Sequence, residues 1–295
     1  MTAVRSGSSR GAAPWLLLGP FLLIFALFAA YPLLRAVVLA FQQTFGPGTA
    51  RYVGLDNFRR LTQDPLFWKA LGNTCVYTAG SVFIQLPLAL GLALLLNREG
   101  IRGRGLLRTI FFAPSLVGVV FVAMMFSVIF EKRTGLLNQL LHAAIGWDLE
   151  FAWLETYVMA ALIVASLWLY VGFNMVYFLA ALQNVPPQLI EAAQIDGAGA
   201  WRRFLHVTLP SIRPVAAFVV LLSIIGSFQL FELPFVLLNS AGGPDNRGLT
   251  IVMYLYQTGF QTGDLGYASA IAWVLAAVLV ICSIGMRVAL RGDAS

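Results

Sequence analysis

The chain has 295 residues, of which 59% are hydrophobic and 11% are charged, and its formal net charge is +6 at pH 7. Soluble domains average about 45–50% apolar and about 25% charged residues, so this composition excludes an ordinary soluble globular protein. The basic residues form no stripe interleaved with aromatic residues, which argues against nucleic-acid binding. The charge is better explained by membrane topology and by affinity for the anionic inner leaflet.

Six uncharged runs are long enough to cross a membrane. A helix rises about 1.5 Å per residue, so about 20 apolar residues span a hydrocarbon core of about 30 Å. The runs lack the polar and apolar alternation of membrane strands, so the sequence predicts an all-α, polytopic membrane protein with six transmembrane helices. The runs occupy residues 11–34, 71–97, 109–130, 156–190, 214–231 and 265–286.

The first of these runs is expected to remain as a membrane anchor. A secretion signal has an apolar core of about 7–15 residues, and this run is longer and lacks a convincing cleavage site. We therefore expect a tail at 1–13, a first transmembrane helix at 14–42, and an external segment at 43–70 whose amphipathic part lies on the membrane surface. A five-helix core at 71–288 and a second tail at 289–295 complete the chain.

Basic residues orient the predicted helices. Lys and Arg are denser in the short segments 5–10, 98–108, 202–213 and 287–291 than in the segments on the opposite side. Short flanks rich in Lys and Arg stay on the cytoplasmic side of a membrane. Both termini and the loop at 185–213 are therefore predicted to be cytoplasmic.

The loop at 185–213 is organised like an interface. Pro187 suits the first turn of a helix that we expect to extend to Asp196, and Gly197 permits a sharp bend after it. A second short helix would place Trp201, Phe204 and Leu205 on one face. An alternative interpretation is a solvated loop in which Trp201 anchors in the lipid headgroups.

In this loop, Glu-Ala-Ala is followed after two residues by Asp-Gly-Ala and later by Leu-Pro. This order resembles the signature cytoplasmic loop of binding-protein-dependent ABC transporter permeases. Val207 departs from the isoleucine that is common in that family. Weaker matches, including Tyr31-Pro32, extend the resemblance over nearly the whole chain, and they are similar to the carbohydrate-type branch of maltose, lactose and glycerol-phosphate permeases. The residues that match the loop are Glu191, Ala192, Ala193, Asp196, Gly197, Ala198, Leu209 and Pro210.

This resemblance implies the type I ABC importer permease fold, in the cytoplasmic (inner) membrane of a bacterium or archaeon. The partners that it implies are two ABC ATPase subunits, a second permease subunit and an external solute-binding protein. The second permease would be a different chain, although two copies of this one remain an alternative. The residues expected to couple to the ATPase are Glu191, Ala192, Ala193, Asp196, Gly197, Ala198, Trp201, Phe204, Leu209 and Pro210.

The chain shows no sign of catalytic chemistry of its own. It has no G-x-x-x-x-G-K-[ST] phosphate loop, so ATP and Mg are expected at the partner ATPase subunits, and no cofactor is expected on this chain. His142 and His206 lie in different segments, so we expect no metal site and no enzymatic activity.

Polar and aromatic residues inside the apolar runs mark a candidate route for a sugar or related polyol. Glu232 either faces a cavity or lies at the outer interface, because an acidic group in the hydrocarbon is costly. Asn174 and Gln229 either face the cavity or bridge helices. Aromatic faces for sugar rings are offered by Trp168, Tyr170 and Phe228. The alternative function is a secondary transporter or channel driven by an ion gradient.

Overall fold

The computed structural model of the protein describes residues 13–44, 50–98, 100–146 and 150–291. Residues 1–12 of the first predicted tail and 292–295 of the second lie outside the described residues, whereas residues 289–291 belong to the last helix. Within these ranges the chain forms sixteen α-helices. In chain order they are α1 (Ala13–Phe25), α2 (Tyr31–Ala40), α3 (Asp56–Gln63), α4 (Pro65–Gly80), α5 (Leu86–Leu96), α6 (Arg104–Phe112), α7 (Val119–Ile129), α8 (Leu136–Ile145), α9 (Trp153–Thr156), α10 (Val158–Gln183), α11 (Pro187–Ile195), α12 (Ala200–Arg203), α13 (Leu209–Phe228), α14 (Glu232–Leu237), α15 (Ile251–Tyr256) and α16 (Leu265–Arg291).

Short segments of other geometry join or extend these helices. The strands β1 (Gln42–Thr44) and β2 (Ala50–Tyr52) pair in antiparallel register, with Gln43 opposite Arg51. Helical turns of π and 3₁₀ type occur at Ala26–Ala30, Ser81–Gln85, Ala113–Leu116, Phe204–Thr208, Pro244–Asn246 and Gln257–Gln261.

The contacts divide the chain into two units. The first unit comprises Met1–Thr62 with Thr258–Trp273, and the second comprises Gln63–Gln257 with Val274–Ser295. In the first unit, Asn57 donates hydrogen bonds of 2.9 Å to the carbonyls of Ala40 and Gln42. Asn57 and Leu61 form the buried face of α3, so this helix is amphipathic, as the sequence predicts for the external segment.

A second group of contacts in the first unit holds the start of α16. Arg60 forms a 2.8 Å ion pair with Asp264, and its guanidinium lies 4.1 Å from the centre of the Tyr267 ring. The backbone N–H of Gly266 donates to Thr44 Oγ1 at 2.9 Å. The start of α16 is therefore held by charge, by an aromatic face and by a backbone contact at once.

Five long apolar helices and one bent pair supply up to six spans, in agreement with the predicted helical fold. The third predicted run is not a straight helix: Arg104–Leu116 and Val119–Ile129 meet at 97°. Pro114 lies in the 3₁₀ turn before the break, and Gly118 adopts extended backbone angles after it. Proline and extended backbone geometry both end an α-helix, so this run changes direction between Leu116 and Val119.

Two further boundaries differ from the sequence expectations. The second span begins at Pro65 instead of 71, because Asp64 caps the helix by accepting the Leu66 N–H and proline suits the first turn. The expected second short helix of the loop is not separate from the fifth span, since Ala200–Phe228 is one continuous helical stretch. Pro210 lies within this stretch, two residues after the end of the π turn at Phe204–Thr208.

Helix α10 is the centre of the second unit. It packs against α4, α5, α6 and α13 and is buried along most of its length. The backbones of α10 and α6 approach closely at Gly172. A Cβ at this position would lie 1.8 Å from the carbonyl oxygen of Phe111 in α6. A small residue at a helix crossing lets two backbones approach closely, which is the main source of packing energy between membrane helices.

Candidate functional site

The second unit contains a cavity of about 420 Å³ between α4, α10 and α13. This volume falls within the range of about 300–1,000 Å³ that is usual for small-molecule sites. Nine of the sixteen residues that line the cavity have polar side chains. The polar side chains of its lining are Tyr77, Ser81, Gln85, Tyr170, Asn174, Ser223, Ser227, Gln229 and Glu232.

The helix formed by α4, the π turn and α5 presents one stripe of polar residues to this cavity. Tyr77, Ser81 and Gln85 follow one another at intervals of four residues, which places them on one face. The turn at Ser81–Gln85 is π-helical, and the N–H of Leu86 donates to the Ser81 carbonyl. Pro87 follows immediately and lacks the N–H that an α-helix would use, so the wider turn lies directly before a proline.

Hydrogen bonds satisfy only part of this polar lining. Ser81 Oγ and Ser223 Oγ lie 2.7 Å apart, so this hydrogen bond joins the π turn after α4 to α13 across the cavity. Gln85 is 3% exposed, yet its Oε1 has no hydrogen-bond donor among the described residues. Asn174 is 8% exposed. Among the described residues that line the cavity, Gln85 Oε1 is therefore a buried polar atom that protein groups do not satisfy.

Four of the six residues proposed from sequence for a cargo route meet in this cavity: Tyr170, Asn174, Gln229 and Glu232. The other two do not line it. The Trp168 ring packs edge-on against Phe126 with 5.9 Å between ring centres, and Phe228 is buried at 5% exposure.

The sequence pattern alone did not assign Tyr77, Ser81, Gln85 or Ser223 to the route. The recurrence of polar residues every four positions in an apolar run, beside a proline, is the signal that could have found them. One stripe of this kind, however, does not reveal which other helix faces it. Only the packing of α4 and α13 brings Ser81 to Ser223.

The loop at 185–213 has a defined turn at its centre. The Ala198 N–H donates to the Ala193 carbonyl at 2.9 Å, and the Gly197 N–H donates to Gln194 at 3.0 Å. This pair of bonds is the Schellman motif, which ends a helix with a residue of positive φ. Gly197 has a φ of 73°, which a residue with a side chain adopts only at a cost.

The residues around this turn leave apolar and basic groups accessible. Ile195 is 87% exposed and Trp201 is 69% exposed, and Trp201 stacks on Phe204 with 5.6 Å between ring centres. A groove beside the turn is lined by Ala193, Ala198, Arg202, Arg203, His206 and Val207. Of the other residues matched to the signature loop, Glu191, Ala192, Asp196 and Pro210 are exposed and Leu209 is half-buried.

Residues 85–291 match the family described as binding-protein-dependent transport system inner membrane component. The chain belongs to this family. The match covers the whole 185–213 loop and every residue of the cavity lining except Tyr77 and Ser81. The resemblance predicted from the loop is thereby confirmed.

Curated relatives of this permease cover nearly its whole length. It is 39% identical over 279 residues to the arabinooligosaccharides transport system permease protein AraP of Bacillus subtilis, covering 94% of this chain and 88% of the relative. It is 34% identical over 276 residues to the lactose transport system permease protein LacF of Rhizobium radiobacter, covering 91% of each. These relatives are transport permeases, not enzymes.

Solved structures show the same fold. One chain of a bacterial ABC transporter involved in the import of the acidic polysaccharide alginate matches with a TM-score of 0.83 and 26% identity over 96% of each chain. A chain from the alginate transporter in complex with an alginate pentasaccharide-bound periplasmic protein matches with a TM-score of 0.80 and 25% identity, covering 94% of this chain and 93% of that one. The predicted ABC importer permease fold is therefore confirmed.

Proposed function

We propose that this permease carries a sugar or related polyol through the membrane as one subunit of an ATP-driven ABC importer. The observation that carries the proposal is a polar cavity between membrane helices in a chain that matches sugar permeases over almost its entire length. Polyhydroxylated cargo needs hydrogen-bond partners along its path, and this cavity supplies side-chain hydroxyls, amides and a carboxylate. The route comprises Tyr170, Asn174, Gln229 and Glu232, and it omits Trp168 and Phe228, whose rings pack elsewhere.

The turn at Gly197 is the proposed contact with the ATPase subunit. Glu191 provides a charged anchor, small Ala192 and Ala193 allow close approach, and Trp201 offers an exposed apolar face. The full set of coupling residues is Glu191, Ala192, Ala193, Asp196, Gly197, Ala198, Trp201, Phe204, Leu209 and Pro210.

The continuous helix from Ala200 to Phe228 gives this contact a mechanical path to the cavity. Trp201 lies near its start, while Ser223 and Ser227 line the cavity near its end. A helix of this length spans about 33 Å between Trp201 and Ser223. Movement of the ATPase subunits on binding ATP would therefore displace the cavity wall together with the docked turn.

The other subunits of the importer carry out the remaining functions. Two ATPase subunits bind ATP and Mg and hydrolyse ATP, a second and different permease completes the pore, and a solute-binding protein delivers cargo from outside. This chain itself catalyses no reaction and holds no cofactor. Both of its termini, like the docked turn, lie on the cytoplasmic side, as the distribution of Lys and Arg indicates.

A chromosomal deletion in the native host tests the proposal. We expect the deletion to abolish uptake of at least one radiolabelled carbohydrate, and the wild-type chain to restore it. Glu191→Lys and Gly197→Pro should insert in the membrane at wild-type levels yet restore little uptake. Wild-type uptake in both variants would contradict the coupling role.

Proteoliposomes separate the importer from a secondary transporter or channel. The purified chain alone, without nucleotide, is expected to transport none of the carbohydrates that depend on it in cells. Nucleotide-independent uptake driven by an ion gradient would overturn the ABC mechanism. Co-purification of an ATPase and a second permease with the chain is the matching positive result.

A further inference from the structure

The charge of the cavity lining distinguishes among the cargo classes of the relatives. Glu232 is its one charged side chain among the described residues, and no Lys, Arg or His lines it. Glu232 is exposed, and it forms no ion pair with another described residue. An anion entering this cavity would therefore meet a like charge and no compensating cation among the described residues of this chain, which is unfavourable.

Gln85 supplies a complementary hydrogen-bond acceptor. It lies eleven residues before the end of α5, which corresponds to about 16 Å along the helix and hence to a position deep in the span. Its Oε1 is buried and has no donor within the described part of the chain. A buried acceptor without a donor costs free energy unless a bound molecule or water supplies one.

The other polar atoms at this level do not supply that donor. Ser81 and Ser223 bond to each other, and the π turn directs the Ser81 carbonyl to the Leu86 N–H. Gln85 lines the cavity, and the nearby hydroxyls of Ser81, on the same helix face, and Ser223, on α13, bond to each other. The hydroxyl of a cargo molecule is the donor that fits a neutral amide oxygen in such a site.

We propose that this permease selects uncharged polyhydroxylated cargo, with Gln85 Oε1 accepting a hydrogen bond from a cargo hydroxyl and Glu232 excluding anions such as sugar phosphates and uronates. The proposal rests on the proposed function and narrows it. It separates this chain from relatives named for the transport of sn-glycerol 3-phosphate and from the alginate importer, whose cargo is acidic.

The first test identifies the cargo. Wild-type and deletion strains are compared for uptake of radiolabelled arabinotriose, lactose and maltose, which are neutral, and of sn-glycerol 3-phosphate and digalacturonate, which are anionic. We expect the deletion to abolish uptake of a neutral probe and of neither anionic probe. Loss of an anionic probe would overturn the inference and leave the proposed function standing. Loss of none of the five would overturn both.

The second test measures the contribution of Gln85 with the neutral probe so identified. Gln85→Leu should lower the specificity constant for uptake by roughly 2- to 12-fold, the range expected for one neutral hydrogen bond. Because Oε1 has no protein partner, the thermal stability of the purified variant should not fall. Wild-type uptake, or a loss of uptake explained entirely by lost stability, would overturn the role of Gln85.

Two controls make the reading specific. Gln42→Leu removes another buried amide oxygen that lacks a donor, but Gln42 lies in β1 and does not line the cavity, so uptake should be unchanged. Among monodeoxy analogues of the cargo, the wild-type chain should transport one less well than the cargo itself. For that analogue, Gln85→Leu should cause no further loss of uptake. Fully additive losses at every position would contradict a direct bond.

Discussion

The contact between Gly172 and α6 yields a quantitative prediction. In Gly172→Ala, the new Cβ would lie 1.8 Å from the Phe111 carbonyl oxygen, 2.4 Å from its carbon and 2.9 Å from the Phe112 nitrogen. All three atoms belong to backbone, so no side chain can rotate away. The carbonyl oxygen must retreat by about 1.2 Å to reach 3.0 Å, the separation below which real Cβ contacts essentially never occur.

The expected loss of stability follows from two opposing effects. Overpacking of a tight interface costs about 1–3 kcal/mol, and a clash with backbone on both sides belongs at the upper end of that range. Alanine favours a helix over glycine by about 1 kcal/mol. The net destabilisation should therefore be about 2 kcal/mol, which lowers the folded-to-unfolded ratio about 30-fold.

Thermal unfolding of the purified chain in detergent measures this loss against a matched control. Gly91 lies in α5, and a Cβ there would meet nothing within 4 Å. Gly91→Ala should raise the unfolding midpoint slightly, since only the helix preference of alanine acts. Gly172→Ala should lower it clearly. Equal midpoints for the two variants would refute the close contact between α10 and α6.

Three further outcomes are expected. Gly197→Ala, which forces a side chain into positive φ, should reduce the free energy of unfolding by about 1–2 kcal/mol, and an unchanged unfolding midpoint would exclude the helix cap. Thr74→Val leaves the buried N–H of Ile251 without its 3.0 Å acceptor and should cost about 1–3 kcal/mol, whereas Thr74→Ser should recover most of the loss. The N–H of Thr134 bonds to the Glu131 carboxylate and lowers its pKa, so this contact stabilises the loop above the ordinary carboxyl pKa and is lost as pH falls through the lowered value. The protection factor of the Thr134 amide against hydrogen exchange should fall at that acidic pH, and Glu131→Gln should abolish the transition.

The spans and the turn at Gly197 were predictable from sequence because both depend on local properties. Apolar length determines whether a segment can cross the membrane, and the position of Gly197 after a helix determines a left-handed cap. The break after Pro114 was not predicted, although its residues were visible. A proline can be accommodated in a bundle helix, so its effect depends on the neighbouring helices.

The cavity could not be predicted from the sequence, because the packing of separate helices forms it. Sequence identified Asn174, Gln229 and Glu232 as polar groups in apolar surroundings, because such groups are costly in lipid. It could not show that Gln85 shares a cavity with them, or that Trp168 turns to Phe126 instead. Which side chains face each other depends on how α4, α10 and α13 pack, and helix periodicity defines a face without naming its partner. The amino-acid sequence therefore determined the family, the spans and the turn at Gly197, while helix packing decided which polar side chains line the cavity.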